Sequence, residues 1–168
     1  MWDRINRIVG RAEDIAVGLI ILVATYVLFQ GVVLRYVFNF AFPWTEEVVR
    51  YSIVWLVFLG GSIAARRGAH IAMDIVVVYL PPRTKLFFMG VATALTCLFT
   101  LIITYYGCLL TWSIWGFDQR SPAAEIPMAL PFAAIPVGCA LMTVRFLVAA
   151  VAYFRGIDPF QKRAHLEA

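Results

Sequence analysis

Apolar residues fall into four long runs separated by short charged stretches, and that pattern predicts four helices. The runs are Ile15 to Leu34, Tyr51 to Ala65, Leu86 to Phe117, and Ile126 to Val144, the last resuming after Arg145 as far as Phe154. The third holds 32 residues without a charged side chain. At a rise of about 1.5 Å per residue, a helix of that length exceeds the roughly 30 Å hydrocarbon core of a bilayer. Unpaired backbone amides are too costly in lipid for a loop or an open strand, so each run is expected to be a helix. Strands of a membrane barrel would alternate apolar and polar positions, and these runs do not. The second run reaches spanning length by extending back through Trp44, with Glu46, Glu47 and Arg50 in the interface. The expected architecture is all-α: an integral membrane four-helix protein, a single membrane domain over residues 1–168, with spans over 13–37, 44–65, 86–116 and 127–154.

The punctuation between the runs adds detail. Residues 1–14 set Ile5, Ile8 and Val9 against Asp3, Arg4, Arg7 and Arg11, which suits a short amphipathic lead-in lying on the membrane surface. The first run holds 20 residues and is followed by Arg35, Tyr36, Val37 and Phe38 rather than by a small-residue cleavage site, so it reads as a retained anchor and not a secretion signal. Asn39 to Pro43 turns the chain, Thr45 is the expected N-cap of helix two, and Glu46 and Glu47 meet the positive end of its dipole. Residues 70–80, between Gly68 and the Pro81–Pro82 pair, are too short to span and too apolar for a solvated loop. They are expected to form a short interfacial helix between helices two and three, with His70 and Asp74 on one face at i and i+4. Helix three is overlong and should tilt or protrude. Helix four starts among Pro122, Pro127, Pro131 and Pro136 and is expected to be irregular or kinked in its first turns.

Composition and charge fix the class and orientation. Of the 168 residues 62% are hydrophobic and 14% charged, so the charges must be confined to the ends of the helices. Ten of the 14 lysines and arginines fall in the N-terminal segment, the loop between helices two and three, and the C-terminal tail. Only Arg35, Arg50 and Arg120 fall on the opposite side, with Arg145 left inside helix four. The positive-inside rule then puts both termini in the cytoplasm. Trp44, Trp112, Trp115 and Phe117 mark the outer boundary, and Trp2, Tyr79 and Tyr153 the inner one. The net charge of +4 is explained by this topology and gives no support to nucleic-acid binding.

Several chemistries lack their residues. A four-helix haem protein needs axial ligands inside the bilayer, and the two histidines, His70 and His165, lie outside the main spans. Cys97, Cys108 and Cys139 have no Cys-x-x-Cys spacing and read as small packing residues. A proton-coupled exporter needs a carboxylate deep in a span, whereas Glu13 and Asp14 are expected at the inner mouth of helix one. No helix breaks at mid-depth as a transporter's binding site would require. No enzyme activity, cofactor or metal site is expected, and a structural or accessory role is favoured.

The polar residues that are present sit at the borders. Trp44-Thr45-Glu46-Glu47-Val48-Val49-Arg50 places Glu46 four residues before Arg50 and Glu47 within i+3 reach of it. One carboxylate is expected to pair with Arg50 and the other with Arg35, giving an interfacial clamp between helices one and two or a contact point for a partner. Gly60-Gly61-Ser62-Ile63-Ala64-Ala65 contains two small-xxx-small pairs that permit close helix approach, inside this chain or against another protein. Arg66-Arg67-Gly68-Ala69-His70-Ile71-Ala72-Met73-Asp74 reads as a basic turn into the interfacial helix. One His and one Asp are an incomplete metal set. Arg145 has three open fates: snorkelling to the inner headgroups, pairing with Asp74 or Asp14, or facing a partner subunit.

Taken in order, these motifs resemble those of the small membrane subunit of tripartite ATP-independent periplasmic (TRAP) transporters, the DctQ-like family. The resemblance is carried by Trp-x-Glu-Glu-x-x-Arg opening helix two, the Gly-Gly seam, Arg-x-Gly-x-His-Ile-x-x-Asp and the Pro-Pro stop, from about Arg35 to Pro82. It implies an accessory scaffold subunit of the bacterial inner membrane that associates with a large multi-span transport subunit. It also implies transient contact with a periplasmic substrate-binding protein, and sodium-driven uptake of an organic acid. Trp44, Glu46, Glu47, Arg50, Arg67, Gly68, His70 and Asp74 carry over as motif positions with structural or interface roles, none of them touching the solute. The competing classes are a stand-alone small membrane transporter and a membrane redox subunit.

Overall fold

The computed structural model of the chain describes residues 2–68 and 82–156. His70, Asp74, the interfacial helix expected over 70–80 and the tail from Lys162 lie outside the described residues. The described chain forms four helices: α1 (Trp2–Val37), α2 (Pro43–Arg67), α3 (Pro82–Gly116) and α4 (Ala129–Phe154). All four are long and apolar enough to cross a membrane. The protein is an all-helical, multi-pass membrane protein.

Local chemistry sets the boundaries, and two of them differ from expectation. α1 is one continuous helix of 36 residues, about 54 Å long. The amphipathic lead-in is therefore the first turns of the span itself and not a separate surface helix. α2 opens three residues earlier than a Thr45 cap would allow. Pro43 occupies its first turn, where a missing N–H costs nothing, and extended Phe42 (φ −90°, ψ 115°) precedes it. Thr45 is thus inside the helix and does not cap it. Its side chain is buried at 7% exposure instead, facing Gly31 of α1, where an added Cβ would come within 2.6 Å of Thr45 Cγ2. α2 ends at Gly68, whose left-handed φ of 73° turns its N–H onto the carbonyls of Ala64 and Ala65.

The helices lie in an open row rather than a closed bundle. Their spatial order is α1, α2, α4, α3: the backbone of α1 lies close only to that of α2, α4 lies between α2 and α3, and the backbones of the outer helices do not approach each other among the described residues. Direction alternates along the chain, so α1 and α2 are antiparallel, α3 and α4 are antiparallel, and α2 and α4 run parallel. The parallel pair is close because Gly138 lacks a side chain, and a Cβ there would meet Phe58 Cβ at 2.6 Å and the Phe58 carbonyl oxygen at 2.9 Å.

α4 is the most enclosed helix, with Ala134, Cys139, Phe146, Ala149, Ala150 and Tyr153 buried. Small side chains let backbones approach where no hydrophobic effect drives helices together in lipid. The expected irregularity at its start stays in the preceding loop, and the helix is continuous through Pro136, which faces Gly107 of α3. The α3–α4 seam carries buried hydroxyls. Thr100 Oγ1 and Thr143 Oγ1 are 2.9 Å apart, Thr100 also donates to the Cys97 carbonyl at 3.1 Å, and the Cys97 thiol lies 3.6 Å from the Thr143 carbonyl. Among the described residues every buried side-chain nitrogen and oxygen has a hydrogen-bond partner, as a polar group in a low-dielectric interior requires.

Candidate functional site: charged joints between the helices

The most enclosed charged cluster joins three helices. Arg145 Nη2 of α4 lies 2.5 Å from Glu13 Oε2 of α1, and the two side chains are only 10% and 4% exposed. Ser62 of α2 stands between them with no exposed surface. Its hydroxyl donates to Glu13 Oε1 at 2.9 Å and accepts from Arg145 Nη1 at 2.8 Å, and the same guanidinium nitrogen also donates to the Ser62 carbonyl. Arg145 lies nine residues before the end of α4, about 14 Å below that end. A planar guanidinium serves such a site because its fork of donors meets a carboxylate and a hydroxyl together. One turn along α2, Arg66 reaches Asp14 at 2.5 Å, with side chains 18% and 45% exposed.

Neither snorkelling nor pairing with Asp14 describes Arg145: it turns sideways to Glu13. Nor does Glu13 stand at an open mouth, because the unbroken α1 carries it into the packed helices. The missed signal was the helical continuity of residues 2–37, which sets Glu13 level with Ser62 and Arg145. α1 and α4 have no direct backbone contact, so this ion pair bridges helices that are otherwise separated by α2.

At the opposite end, Glu47 of α2 holds the loop between α3 and α4. Its Oε2 accepts from the Ser121 hydroxyl and, at 3.0 Å, from the Ala124 backbone N–H. Ser121 is 2% exposed. The loop folds on itself through Ser121 N–H to the Ile126 carbonyl (2.9 Å) and Met128 N–H to the Gln119 carbonyl (2.8 Å), and Tyr51 of α2 reaches Met128 Sδ at 3.3 Å. Glu46 points elsewhere, 3.9 Å from Arg35 of α1, with side chains 76% and 65% exposed. Such an exposed pair contributes about 0–1 kcal/mol at most. Arg50 makes no ion pair among the described residues. The adjacent carboxylates therefore divide their work, Glu47 holding a loop that spacing alone does not reveal and Glu46 staying on the surface with Arg35. Trp44 is half-buried against Phe42, their ring centroids 5.8 Å apart.

The glycine pair divides similarly. Gly61 faces Met142 of α4, whereas a Cβ on Gly60 would meet nothing within 4 Å. Arg67 is exposed at the end of α2, beside the capping Gly68. Two shallow grooves open between helices, one lined by Ile20, Tyr51, Trp55, Leu130 and Pro131, the other by Leu28, Val32, Tyr36, Phe42 and Glu46. Among the described residues no three His, Cys, Asp or Glu side chains converge as a metal set. Chemically, the arrangement fixes helices and a loop in place, and its buried charges are used up in one another.

Comparison with known proteins gives this arrangement a context. The chain is 26% identical to the C4-dicarboxylate TRAP transporter small permease protein DctQ of Rhodobacter capsulatus, over 96% of this chain and 85% of that protein. It is 28% identical to a putative TRAP transporter small permease protein of Haemophilus influenzae, over 93% of this chain and 98% of that one. A third relative, the isethionate TRAP transporter permease protein DctMQ of Oleidesulfovibrio alaskensis, is 31% identical over 62% of this chain, which covers only 16% of its length. Residues 11–156 match the sequence profile of the DctQ component of tripartite ATP-independent periplasmic transporters, and the chain belongs to that family of small permease subunits.

Proposed function

We infer that this chain is the accessory scaffold subunit of a TRAP-type secondary transporter in a bacterial inner membrane, with both termini in the cytoplasm. It associates with the large transport subunit, which carries the solute and sodium sites, and a periplasmic binding protein delivers an organic acid to the assembled pair. The observation that carries this reading is the Glu13–Ser62–Arg145 joint. Among the described residues the one enclosed acid and base pair with each other and with a serine, so they stiffen the row and present no ligand to a solute. The DctMQ relative supports the partnership, because its segment like this chain is a small part of one longer permease polypeptide.

The test is reconstitution. Liposomes holding this chain with the large subunit, supplied with the binding protein and an inward sodium gradient, should accumulate the organic acid. Liposomes with either membrane subunit alone should not. Saturable uptake by this chain alone would overturn the scaffold role.

A further inference from the structure

Beside the turn that joins α1 to α2, a groove opens between the two helices. Its floor is the close approach of Gly31 to the buried Thr45, and its sides are Leu28, Val32 and Tyr36 of α1 against Phe42. Leu28, Val32 and Tyr36 are four residues apart, so they form one stripe along the helix, and all three are exposed. Arg35 and Glu46 stand at the rim. Arg35 lies seven residues beyond Leu28, about 10 Å along the axis, so the groove runs from a charged border down into the apolar span. Tyr36 and Trp44 at that border are the ring types that mark the headgroup zone of a bilayer.

The two charges at the rim are adjacent, opposite and unspent. Arg35 Nη1 is 3.9 Å from Glu46 Oε1, beyond the about 2.7–2.9 Å of a charge-assisted hydrogen bond. Neither side chain has another polar partner among the described residues, whereas Glu13 and Glu47 are hydrogen-bonded within the protein. The second groove, lined by Ile20, Val48, Trp55 and Leu130, carries no charged side chain. At about 200 Å³, the charged groove falls below the roughly 300–1,000 Å³ of small-molecule sites. It is too small to enclose a compact solute, but an acyl chain need only lie along it.

We propose that this groove holds one phospholipid with a primary-amine headgroup, of the phosphatidylethanolamine type. Its phosphate meets Arg35, its ammonium meets Glu46, and one acyl chain lies along Val32 and Leu28. The match is of charge: the headgroup sets an anion beside a cation, as the rim does in the opposite sense. Phosphatidylglycerol satisfies Arg35 and leaves Glu46 beside a like charge. Phosphatidylcholine has no N–H to donate to a carboxylate that only accepts. The site requires nothing of the scaffold role. A carboxylate has about four acceptor positions, so a headgroup held here leaves Glu46 open to a partner subunit as well.

Native mass spectrometry of the full chain, released from vesicles with equal phosphatidylethanolamine, phosphatidylglycerol and phosphatidylcholine, tests the site. Wild type should retain phosphatidylethanolamine about tenfold over the other two, the scale of one hydrogen bond to a charged group. Glu46→Gln should reduce that preference to about twofold or less. Arg35→Gln should lower retention of all three lipids, and Val32→Trp, which fills the groove without touching the rim, should do the same. The two rim variants should keep the wild-type melting temperature, because Arg35 and Glu46 are 65% and 76% exposed. Equal retention of the three lipids by wild type, or an ethanolamine preference that survives Glu46→Gln, would overturn the site. So would a photo-crosslinking benzophenone residue at Val32 that captures a co-expressed large subunit instead of lipid, since a protein helix would then fill the groove.

Discussion

Glu13 and Arg145 are 132 positions apart in sequence and 2.5 Å apart in space, the longest-range ion pair among the described residues. Removing one partner strands a charge in an enclosed site, which typically costs about 3–5 kcal/mol. Glu13→Met and Arg145→Met should therefore each lower the unfolding temperature in detergent sharply. The double variant Glu13→Met with Arg145→Met should recover much of the loss, since it leaves no unpaired charge. Additive losses in that double-mutant cycle would show that the two side chains do not depend on each other.

Glu47→Ala removes the acceptor for both Ser121 and the Ala124 amide. Losing a hydrogen bond to a charged acceptor costs about 1.5–3 kcal/mol. The expected signature is local: hydrogen exchange at the Ala124 amide should quicken by about tenfold or more, with α1 unaffected. Unchanged exchange there would mean that the loop is held by its own backbone bonds.

Glu46→Ala should behave differently from its neighbour. Its contact with Arg35 is long and solvent-screened, so the isolated chain should lose less than about 1 kcal/mol. Its carboxylate is exposed at the helix border, however, where a partner subunit can reach it, so recovery of the large subunit should fall while the melting temperature holds. The Glu46→Ala, Glu47→Ala double variant should lose both loop order and subunit recovery, and normal complex yield and transport in it would remove any assembly role from this pair.

Gly138 and Gly60 make a matched pair of substitutions. Gly138→Ala drives a methyl into the backbone of Phe58 and should cost about 1–3 kcal/mol by overpacking. Gly60→Ala meets no atom of the described residues and should be neutral or slightly stabilising in the isolated subunit, because alanine is the better helix former. Thermal melts of the two variants side by side check this.

The four spans were legible because hydropathy over twenty residues outweighs any local preference, and the chain had nowhere else to place Leu86 to Phe117. The row was not. Side-by-side order depends on which faces are small, and Gly138 opposite Phe58 is a coincidence of two helices that neither sequence announces. Thr45 misled because it has the chemistry of a cap, while Pro43, two residues earlier, had already opened the helix. Arg145 was legible as an anomaly, and its partner was not, because treating residues 1–14 as a separate segment put Glu13 at the wrong height. Of the clamp, the Arg35–Glu46 approach follows from a hairpin of two helices. Glu47 with Ser121 does not, since it depends on how a loop 74 residues away folds back.

Because α1 sits at one edge of the row with a single backbone neighbour, it is also the strand of the assembly that a mechanical load would release first. A tether drawn from the amino terminus would meet the Arg66 and Arg145 ion pairs as its early resistance, and past them would slide α1 away from a three-helix remainder still intact. Extraction from a bilayer by pulling should thus proceed in two force peaks rather than one, the first set by charge and the second by the tightly apposed α2–α4–α3 slab.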